Sequence, residues 1–288
     1  MTNKRAVSFA IFAAFLYAFS TPFAKVILRE ISPTMVAGLF YLGAGVGMFL
    51  VLQLPKQRVT KHLAMTKKQL PAVIGMIILD ILAPILLFIG LQTTPPENVS
   101  LLNNFEIVAT SLIAFFLFKE QIAKPHRIAI ILVFIASVIL TFERIEALQF
   151  SIGSLYVLLA ATCWGLENNF TRQLSIFDPR KVVILKGIFS GLGSLVITFL
   201  IQAWVWNAGM ILASLLVGFI AYGLSIFFYV SAQKEIGAAR TSTFYAIAPF
   251  IGVILSFLIF REVPYYTFYI ALLLMAIGSY FATRQAVT

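Results

Sequence analysis

Cysteine, histidine and charged side chains are all scarce in this chain of 288 residues. The single cysteine, Cys163, excludes an intramolecular disulfide and any metal or redox motif built from several cysteines. The two histidines, His62 and His126, stand among Lys and Arg in connecting segments, which favours solvated loop residues over metal ligands. HExxH, GxSxG and Walker A patterns are also missing. The sequence therefore predicts no cofactor, no metal site, and neither enzymatic nor ATP-driven activity by this chain alone.

The low charge content decides the class of protein. Charged residues make up 11% of the chain and hydrophobic residues 61%, with a mean hydropathy of +0.98. A soluble domain carries about 25% charged and about 45–50% apolar residues. The composition predicts an integral membrane protein.

Stretches of about 20 mostly apolar residues, long enough to cross a bilayer, recur along the whole chain. The first, after Lys4 and Arg5, is too long for a signal peptide and is interpreted as a retained helix. We number the predicted spans 1 to 10: Val7–Leu28, Thr34–Leu54, Ala72–Leu91, Asn98–Phe118, Arg127–Phe142, Gly153–Thr171, Lys181–Ala203, Met210–Ser231, Ala238–Phe260 and Tyr265–Thr283.

The net charge of +10 would suggest nucleic acid as a partner for a soluble protein, but here the Lys and Arg residues lie between apolar runs. With ten spans, about seventeen of them fall on the side of the two termini and about four on the other. The positive-inside rule then predicts a multi-pass protein of the plasma (inner) membrane with both termini in the cytoplasm. Its predicted partners are the lipid bilayer and a small-molecule substrate, with no nucleic acid, and the chain is predicted to be a monomer or a homodimer.

The second half of the chain repeats features of the first. At a shift of about 142 residues, "FFLFKEQ" (Phe115–Gln121) aligns with "FLIFREV" (Phe257–Val263). At shifts of about 144 and 147, Gly43 and Gly47 align with Gly187 and Gly191, and Tyr17 aligns with Trp164. The alternative is convergent membrane composition. If the repeat is real, residues 1–145 and 150–288 each hold five helices, and the odd number inserts the second repeat upside down.

These features resemble the EamA family of the drug/metabolite transporter superfamily. The resemblance rests on "FLFKEQ" and "FLIFREV" at the ends of spans 4 and 9, and above all on "GAARTSTFYAIAPFIGVILSF", with Pro249 in span 9. It implies an all-α integral membrane protein with ten transmembrane helices in two inverted five-helix repeats. It also implies a carrier of metabolites or drugs, often an exporter, that works by alternating access without ATP. The segment "NNFEIVAT" departs from the second half, since Glu106 and Ile107 stand where Ala248 and Pro249 would align.

Polar residues within the spans are the candidates for a binding site, because an ionisable group at membrane depth is costly and usually functional. Ser100, Asn103, Asn104, Glu106 and Thr110 share one face of a continuous helix drawn through span 4. Spans 3 and 6 add acidic residues, and aromatic side chains could close over an organic cation. The predicted substrate-binding residues are Tyr17, Asp80, Asn103, Glu106, Trp164, Glu167, Asn168, Tyr222 and Tyr245.

Structural roles stay open for several of these residues. Asn103 could only bond neighbouring helices, and Asp80 could pair with Lys186 of span 7 or cap a helix broken near Pro84. Glu167 could pair with Arg172 near the surface. For Lys186 itself, the prediction is a side chain that reaches towards the inner headgroups.

The predicted function is secondary transport of a small organic metabolite by alternating access. An amino acid, an amine or a related solute is expected, with export as the direction. Glu106 and Asp80 are the candidates for proton or ion coupling. A facilitative channel and a membrane-embedded enzyme are the alternatives, although no filter loop and no catalytic motif favours either.

Overall fold

The computed structural model describes residues 3–53, 67–118, 124–144, 149–174, 176–236, 241 and 244–284. Most of the longest predicted connection, residues 55–66, lies outside the described residues. A 3₁₀ turn covers Lys67–Gln69, and a π-helical segment covers Gly218–Leu224. The α-helices, numbered α1 to α13, are Asn3–Ala18, Ser20–Ile27, Pro33–Leu52, Leu70–Thr93, Pro96–Leu102, Phe105–Phe118, Lys124–Thr141, Ile152–Leu174, Pro179–Leu200, Ala208–Val217, Ser225–Ile236, Ala248–Phe260 and Tyr266–Arg284.

Each of the ten predicted spans contains one or two of these helices. Spans 2, 3, 5, 6, 7 and 10 correspond to the single helices α3, α4, α7, α8, α9 and α13. Span 1 holds α1 and α2, span 4 holds α5 and α6, and span 8 holds α10 and α11 joined by the π-helical segment. By length and composition, five of the described helical segments are long and apolar enough to cross a bilayer. A short antiparallel pair of strands, β1 (Phe142–Arg144) and β2 (Gln149–Phe150), follows span 5.

The outward surface of the helices is apolar, and many polar residues face inward. Phe116, Phe199 and Leu258 are each about two-thirds or more exposed, at 71%, 75% and 68%. Asp80 and Ser190, in contrast, are completely buried. An apolar outer surface over buried polar residues is the reverse of the arrangement in a soluble protein and matches a helix bundle surrounded by lipid. The prediction of an all-α integral membrane protein is confirmed.

Helix packing shows the two repeats directly. Extensive contacts join span 2 with span 7, span 5 with span 10, span 3 with span 6 and span 1 with span 8, while α5 of span 4 packs on α12 of span 9. If span 1 is exchanged with span 6, span 2 with span 7, and so on to spans 5 and 10, the same set of contacting pairs results. The chain therefore folds as two five-span repeats related by a pseudo-two-fold axis.

Helices α3 and α9, which the repeat relates to each other, cross at glycines. A Cβ atom at Gly45 would lie 2.6 Å from the backbone N of Ile188, and one at Gly191 would lie 2.7 Å from the backbone N of Leu42. Gly38, earlier in α3, faces Leu195, later in α9, so the two helices run antiparallel. Related helices that run in opposite directions require inverted repeats.

The aligned glycine pairs, Gly43 with Gly47 and Gly187 with Gly191, contact different parts of the bundle. Gly43 and Gly47 face Leu215 and Phe219 of span 8. Gly187 instead contacts Gly45, which is two residues from each of them and therefore lies on another face of α3. Small residues on several faces of α3 thus let two different helices approach its backbone closely.

We expect Gly187→Ala to lower the thermal stability of the protein in detergent. The new Cβ would lie 2.6 Å from the backbone O of Tyr41, a contact that only movement of α3 against α9 can relieve. Such overpacking typically costs about 1–3 kcal/mol. Gly209→Ala is the matched control, because its Cβ would meet nothing closer than 3.6 Å. Equal melting temperatures for the two variants would contradict the close crossing.

Two helix breaks occupy equivalent positions in the repeats. Span 4 is interrupted at Asn103 and Asn104, and a turn at Ala246 and Ile247 precedes α12 of span 9. The repeat shift of 142 residues places Asn104 on Ala246, since 104 + 142 is 246. Pro249, in the first turn of α12, cannot donate a backbone hydrogen bond and suits a helix start. These breaks place the start of α6 and the start of α12 near the middle of their spans.

Candidate functional site

A cavity of about 80 Å³ lies inside the bundle, where helices of both repeats meet. This space is large enough for several water molecules. Spans 1, 2, 3, 4, 6, 7 and 8 and the segment before α12 contribute to its wall. The lining residues are Tyr17, Tyr41, Asp80, Glu106, Trp164, Glu167, Asn168, Thr171, Lys186, Tyr222, Ile226, Tyr229, Val230 and Tyr245.

One side of the cavity is a buried ionic cluster centred on Lys186. The Nζ of Lys186 lies 2.8 Å from Oε1 of Glu167 and 3.2 Å from Oδ2 of Asp80. The hydroxyl of Tyr41 donates a 2.7 Å hydrogen bond to Oδ1 of Asp80, and the hydroxyl of Thr171 donates to Oε1 of Glu167. Asp80 is completely buried, and Glu167 and Lys186 are 3% and 5% exposed. The cluster ties spans 2, 3, 6 and 7 together.

The ionic cluster decides between the roles that the sequence left open. Asp80 does pair with Lys186, and α4 continues through Pro84 without a break. The prediction that Lys186 reaches towards the headgroups is wrong: two carboxylates hold its ammonium group inside the bundle. The carboxylate of Glu167 bonds Lys186 and Thr171. Mutual pairing is what makes charges tolerable at this depth.

Glu106 lies apart from this cluster and has a neutral partner. The Nδ2 atom of Asn168, on α8, donates a 2.5 Å hydrogen bond to its Oε1. Glu106 stands in the first turn of α6, immediately after the break in span 4. Lys186 is the one cationic side chain among the described residues that line the cavity, and its ion pairs go to Asp80 and Glu167. The wall thus carries three carboxyl groups and one ammonium group.

The rest of the wall is a continuous belt of tyrosine rings. Tyr41 packs edge-on against Tyr222 with ring centres 5.2 Å apart, and Tyr222 stacks on Tyr17 at 6.0 Å. Tyr17 lies 5.8 Å from Tyr245, which packs against Tyr229 at 4.8 Å. The hydroxyl of Tyr222 is buried and has no hydrogen-bond partner among the described residues. Aromatic faces and a carboxylate together favour an organic cation.

The structure brings together all of the predicted site residues except Asn103. Asn103 is 7% exposed but lies outside the lining, and its Oδ1 has no hydrogen-bond partner within the described part of the chain. The placement of Asn103 on the cavity face is therefore wrong. It assumed one continuous helix through span 4, whereas the chain turns at Asn103 and Asn104 between α5 and α6.

Sequence reasoning missed several residues of the wall. Tyr41 and Lys186 are the important ones, and Thr171, Ile226 and Val230 complete the set together with Tyr229. Lys186 carried a signal, since it was already named as a possible partner of Asp80. Tyr41 carried none, because it is one of 10 tyrosines in the chain and its neighbours in sequence are apolar or glycine.

Away from the cavity, side-chain hydrogen bonds join several helix ends at one end of the bundle. The Nζ of Lys25, near the end of α2, donates to the backbone oxygens of Leu91, Gln92 and Thr94 at the end of α4, at 2.5, 3.1 and 3.1 Å. Ser32, before α3, donates a 2.8 Å hydrogen bond to the backbone oxygen of Ala203, after α9. A lysine at the C-terminus of a helix also meets the negative end of the helix dipole. These contacts join spans 1 and 3 to each other, and the first repeat to the second, at this end of the bundle.

Comparison with known proteins assigns the fold to a family. A model of the EamA-like transporter family matches residues 4–142 and, a second time, residues 151–284. The chain belongs to the EamA-like transporter family. The two matches agree with the two repeats seen in the helix packing and confirm the family resemblance found in the sequence.

The names of related proteins do not indicate a substrate for this EamA-like chain. An "Uncharacterized transporter" from Methanothermobacter thermautotrophicus is 23% identical over 268 residues, which cover 87% of this chain and 78% of that protein. The "Uncharacterized transporter YyaM" of Bacillus subtilis is 25% identical over 189 residues, covering 60% of this chain and 59% of that protein. A solved crystal structure with 18% identity superposes with a TM-score of 0.68 over 98% of this chain and 97% of the other. That likeness shows the fold alone.

Proposed function

We propose that this EamA-like transporter is a secondary carrier for a small organic solute with an ammonium group. The observation that supports the proposal is the composition of the cavity wall, where three carboxyl groups face one ammonium group beside a belt of tyrosine rings. The cavity lies between the two inverted repeats, the place where secondary transporters of this architecture bind substrate. An amino acid or an amine fits this chemistry.

Glu106 is the carboxylate that we assign to the substrate. Asp80 and Glu167 already hold Lys186, whereas the described partner of Glu106 is the amide of Asn168. An ammonium group beside Glu106 would also lie within the tyrosine belt, and each ring that faces a cation contributes about 0.5–2 kcal/mol. We propose that a proton takes the place of the ammonium group at Glu106 after the substrate leaves, which would couple transport to the proton gradient.

Alternating access is the proposed mechanism. The contacts of Lys25 and Ser32 join helix ends where spans 1, 3 and 7 finish, and we propose that they hold this end closed. Under the charge distribution between the spans, that end faces outward and both termini are cytoplasmic. The repeats are inverted copies, so a rocking motion that breaks these contacts can close the opposite end in the same way. Since one chain forms the whole cavity, a monomer would suffice.

The experiment that tests the proposal is counterflow in proteoliposomes that contain the full chain. Vesicles loaded with an excess of an unlabelled amine should transiently concentrate the same labelled amine from outside, and the initial rate should saturate. A carrier gives this overshoot because one site faces each side in turn, whereas a channel lets the solute equilibrate without an overshoot. Flux without overshoot or saturation would contradict the carrier. Uphill accumulation of the amine that does not respond to a proton gradient would contradict the coupling.

A further inference from the structure

The charges of the cavity also bear on which ammonium compounds it accepts. A free amino acid brings a carboxylate as well as an ammonium group, and binding in the cavity removes that carboxylate from water. The hydroxyl of Tyr222, which has no partner among the described residues, is a neutral donor and offsets only part of this cost, so the site needs a cation for the carboxylate. Lys186 is the cation that the described lining offers. Whether amino acids fit therefore depends on the groups around Lys186.

Lys186 is already neutralised twice. Its ammonium group lies 2.8 Å from Glu167 and 3.2 Å from Asp80, and both carboxylates receive a further hydrogen bond from Thr171 or Tyr41. A substrate carboxylate placed there would be a third anion on one cation. Like charges at such distances repel strongly in a site of low dielectric constant.

Several backbone donors at the broken helices are already engaged or absent. Helix N-termini within a span can bind a substrate carboxylate. At the start of α6, however, the N–H groups of Glu106 and Ile107 donate to the backbone oxygens of Asn103 and Asn104, and Glu106 itself puts a carboxylate in the first turn. At the start of α12, Pro249 has no N–H group, and Phe250 donates to Ile247.

We infer that the carrier selects organic monocations without a free carboxylate, and that the doubly paired Lys186 is the feature that excludes amino acids. The inference depends on the proposed function, since it narrows the substrate class of the same site. Glu106 and the tyrosine belt recognise the ammonium group. Asp80 and Glu167 act as specificity-determining residues, because both pair with Lys186. Lys186 is the cationic side chain of the described lining with which a substrate carboxylate could otherwise pair.

The test uses matched compounds that differ only at the carboxylate. Alanine, leucine and phenylalanine are each compared with the corresponding amine (ethylamine, isopentylamine, phenethylamine) and amide, by thermal shift and by counterflow on the purified full chain. We expect at least one amine and its related amide to bind at least tenfold more tightly than the amino acid. A free amino acid that binds as tightly as its amine would overturn the inference while leaving the carrier intact. Binding and exchange of no compound in any set would overturn the proposed function as well.

A variant then tests whether the pairing of Lys186 causes the preference for amines over amino acids. Glu167→Gln removes one of the two carboxylates around Lys186, so we expect the preference for the amine over the amino acid to fall at least tenfold. Glu30→Gln makes the same chemical change at an exposed residue outside the cavity and should keep the full preference. An unchanged preference in folded E167Q protein would show that Lys186 does not set the specificity. The wild-type comparison decides the inference even if E167Q fails to fold.

Discussion

Replacing Lys186 with methionine is expected to cause the largest loss of stability of any single change at this site. The variant keeps an unbranched side chain, one heavy atom shorter, but leaves Asp80 and Glu167 buried beside each other without a cation. Removing one partner of a buried ion pair costs about 3–5 kcal/mol, and here two carboxylates lose the same partner. Thermal unfolding of the purified protein in detergent should show a large fall in melting temperature.

A second variant separates the lost charge from the lost packing. Combining K186M with Asp80→Asn and Glu167→Gln makes the whole cluster neutral while keeping its size. Since neutral isosteres of a buried ionic cluster are often as stable as the cluster itself, the triple variant should recover most of the melting temperature. If K186M melts at the wild-type temperature, the cluster does not carry the stability assigned to it here. A triple variant as unstable as K186M would instead place the loss in packing.

The helical architecture was predictable because its signals are local. A run of about twenty apolar residues is recognisable in the sequence without knowledge of the fold. The similar segments that end spans 4 and 9 are also visible in the sequence. The break at Asn103 and Asn104 was not predictable in the same way. Asparagine is tolerated within a membrane helix when a neighbouring helix bonds it, and only the fold shows that these two residues form a turn. The misplacement of Asn103 follows from that one turn.

The residues of the candidate site were harder to assign than the spans, because their roles depend on contacts between distant parts of the chain. Lys186 lies seven residues after the start of α9 at Pro179, or about 10 Å along the helix at 1.5 Å per residue. At that depth a lysine can reach the headgroups or stay inside. The choice is made by Asp80, 106 residues earlier (186 − 80), and by Glu167. Acidic residues in spans were a reliable guide to the cavity because their burial needs a reason.

The family relationship and the cavity answer different questions about this protein. Membership of the EamA-like family accounts for the two repeats and for transport, but a fold hosts many substrates. The chemistry of the wall depends on individual residues of this chain. Its one lysine within the described lining is paired with two carboxylates, and Glu106 has no counterpart in the second repeat, where Ala248 aligns. The asymmetry between the two repeats therefore locates the proposed substrate carboxylate in the first.

Replacing Glu106 with glutamine is expected to abolish measurable transport of amines while leaving the fold intact. The glutamine can still accept the hydrogen bond from Asn168, so the start of α6 keeps its geometry. The substrate ammonium group, however, loses the only carboxylate within the described lining that is not paired with Lys186. Hydrogen bonds to charged groups contribute about 1.5–3 kcal/mol, which corresponds to binding weaker by about ten- to a hundredfold. Calorimetric titration with the best amine and counterflow in proteoliposomes measure the two effects.

Comparing exchange with uphill accumulation distinguishes the two roles proposed for Glu106. A residue that carried only the proton would leave counterflow intact in Glu106→Gln, since exchange moves no net charge, and would abolish only accumulation driven by a proton gradient. A residue that binds the ammonium group and the proton in turn must lose both. We expect both to be lost in E106Q, and both to be kept at least in part by Glu106→Asp, which retains the charge. Glu30→Gln again controls for the loss of a carboxylate elsewhere, and wild-type exchange in E106Q would remove Glu106 from the substrate site.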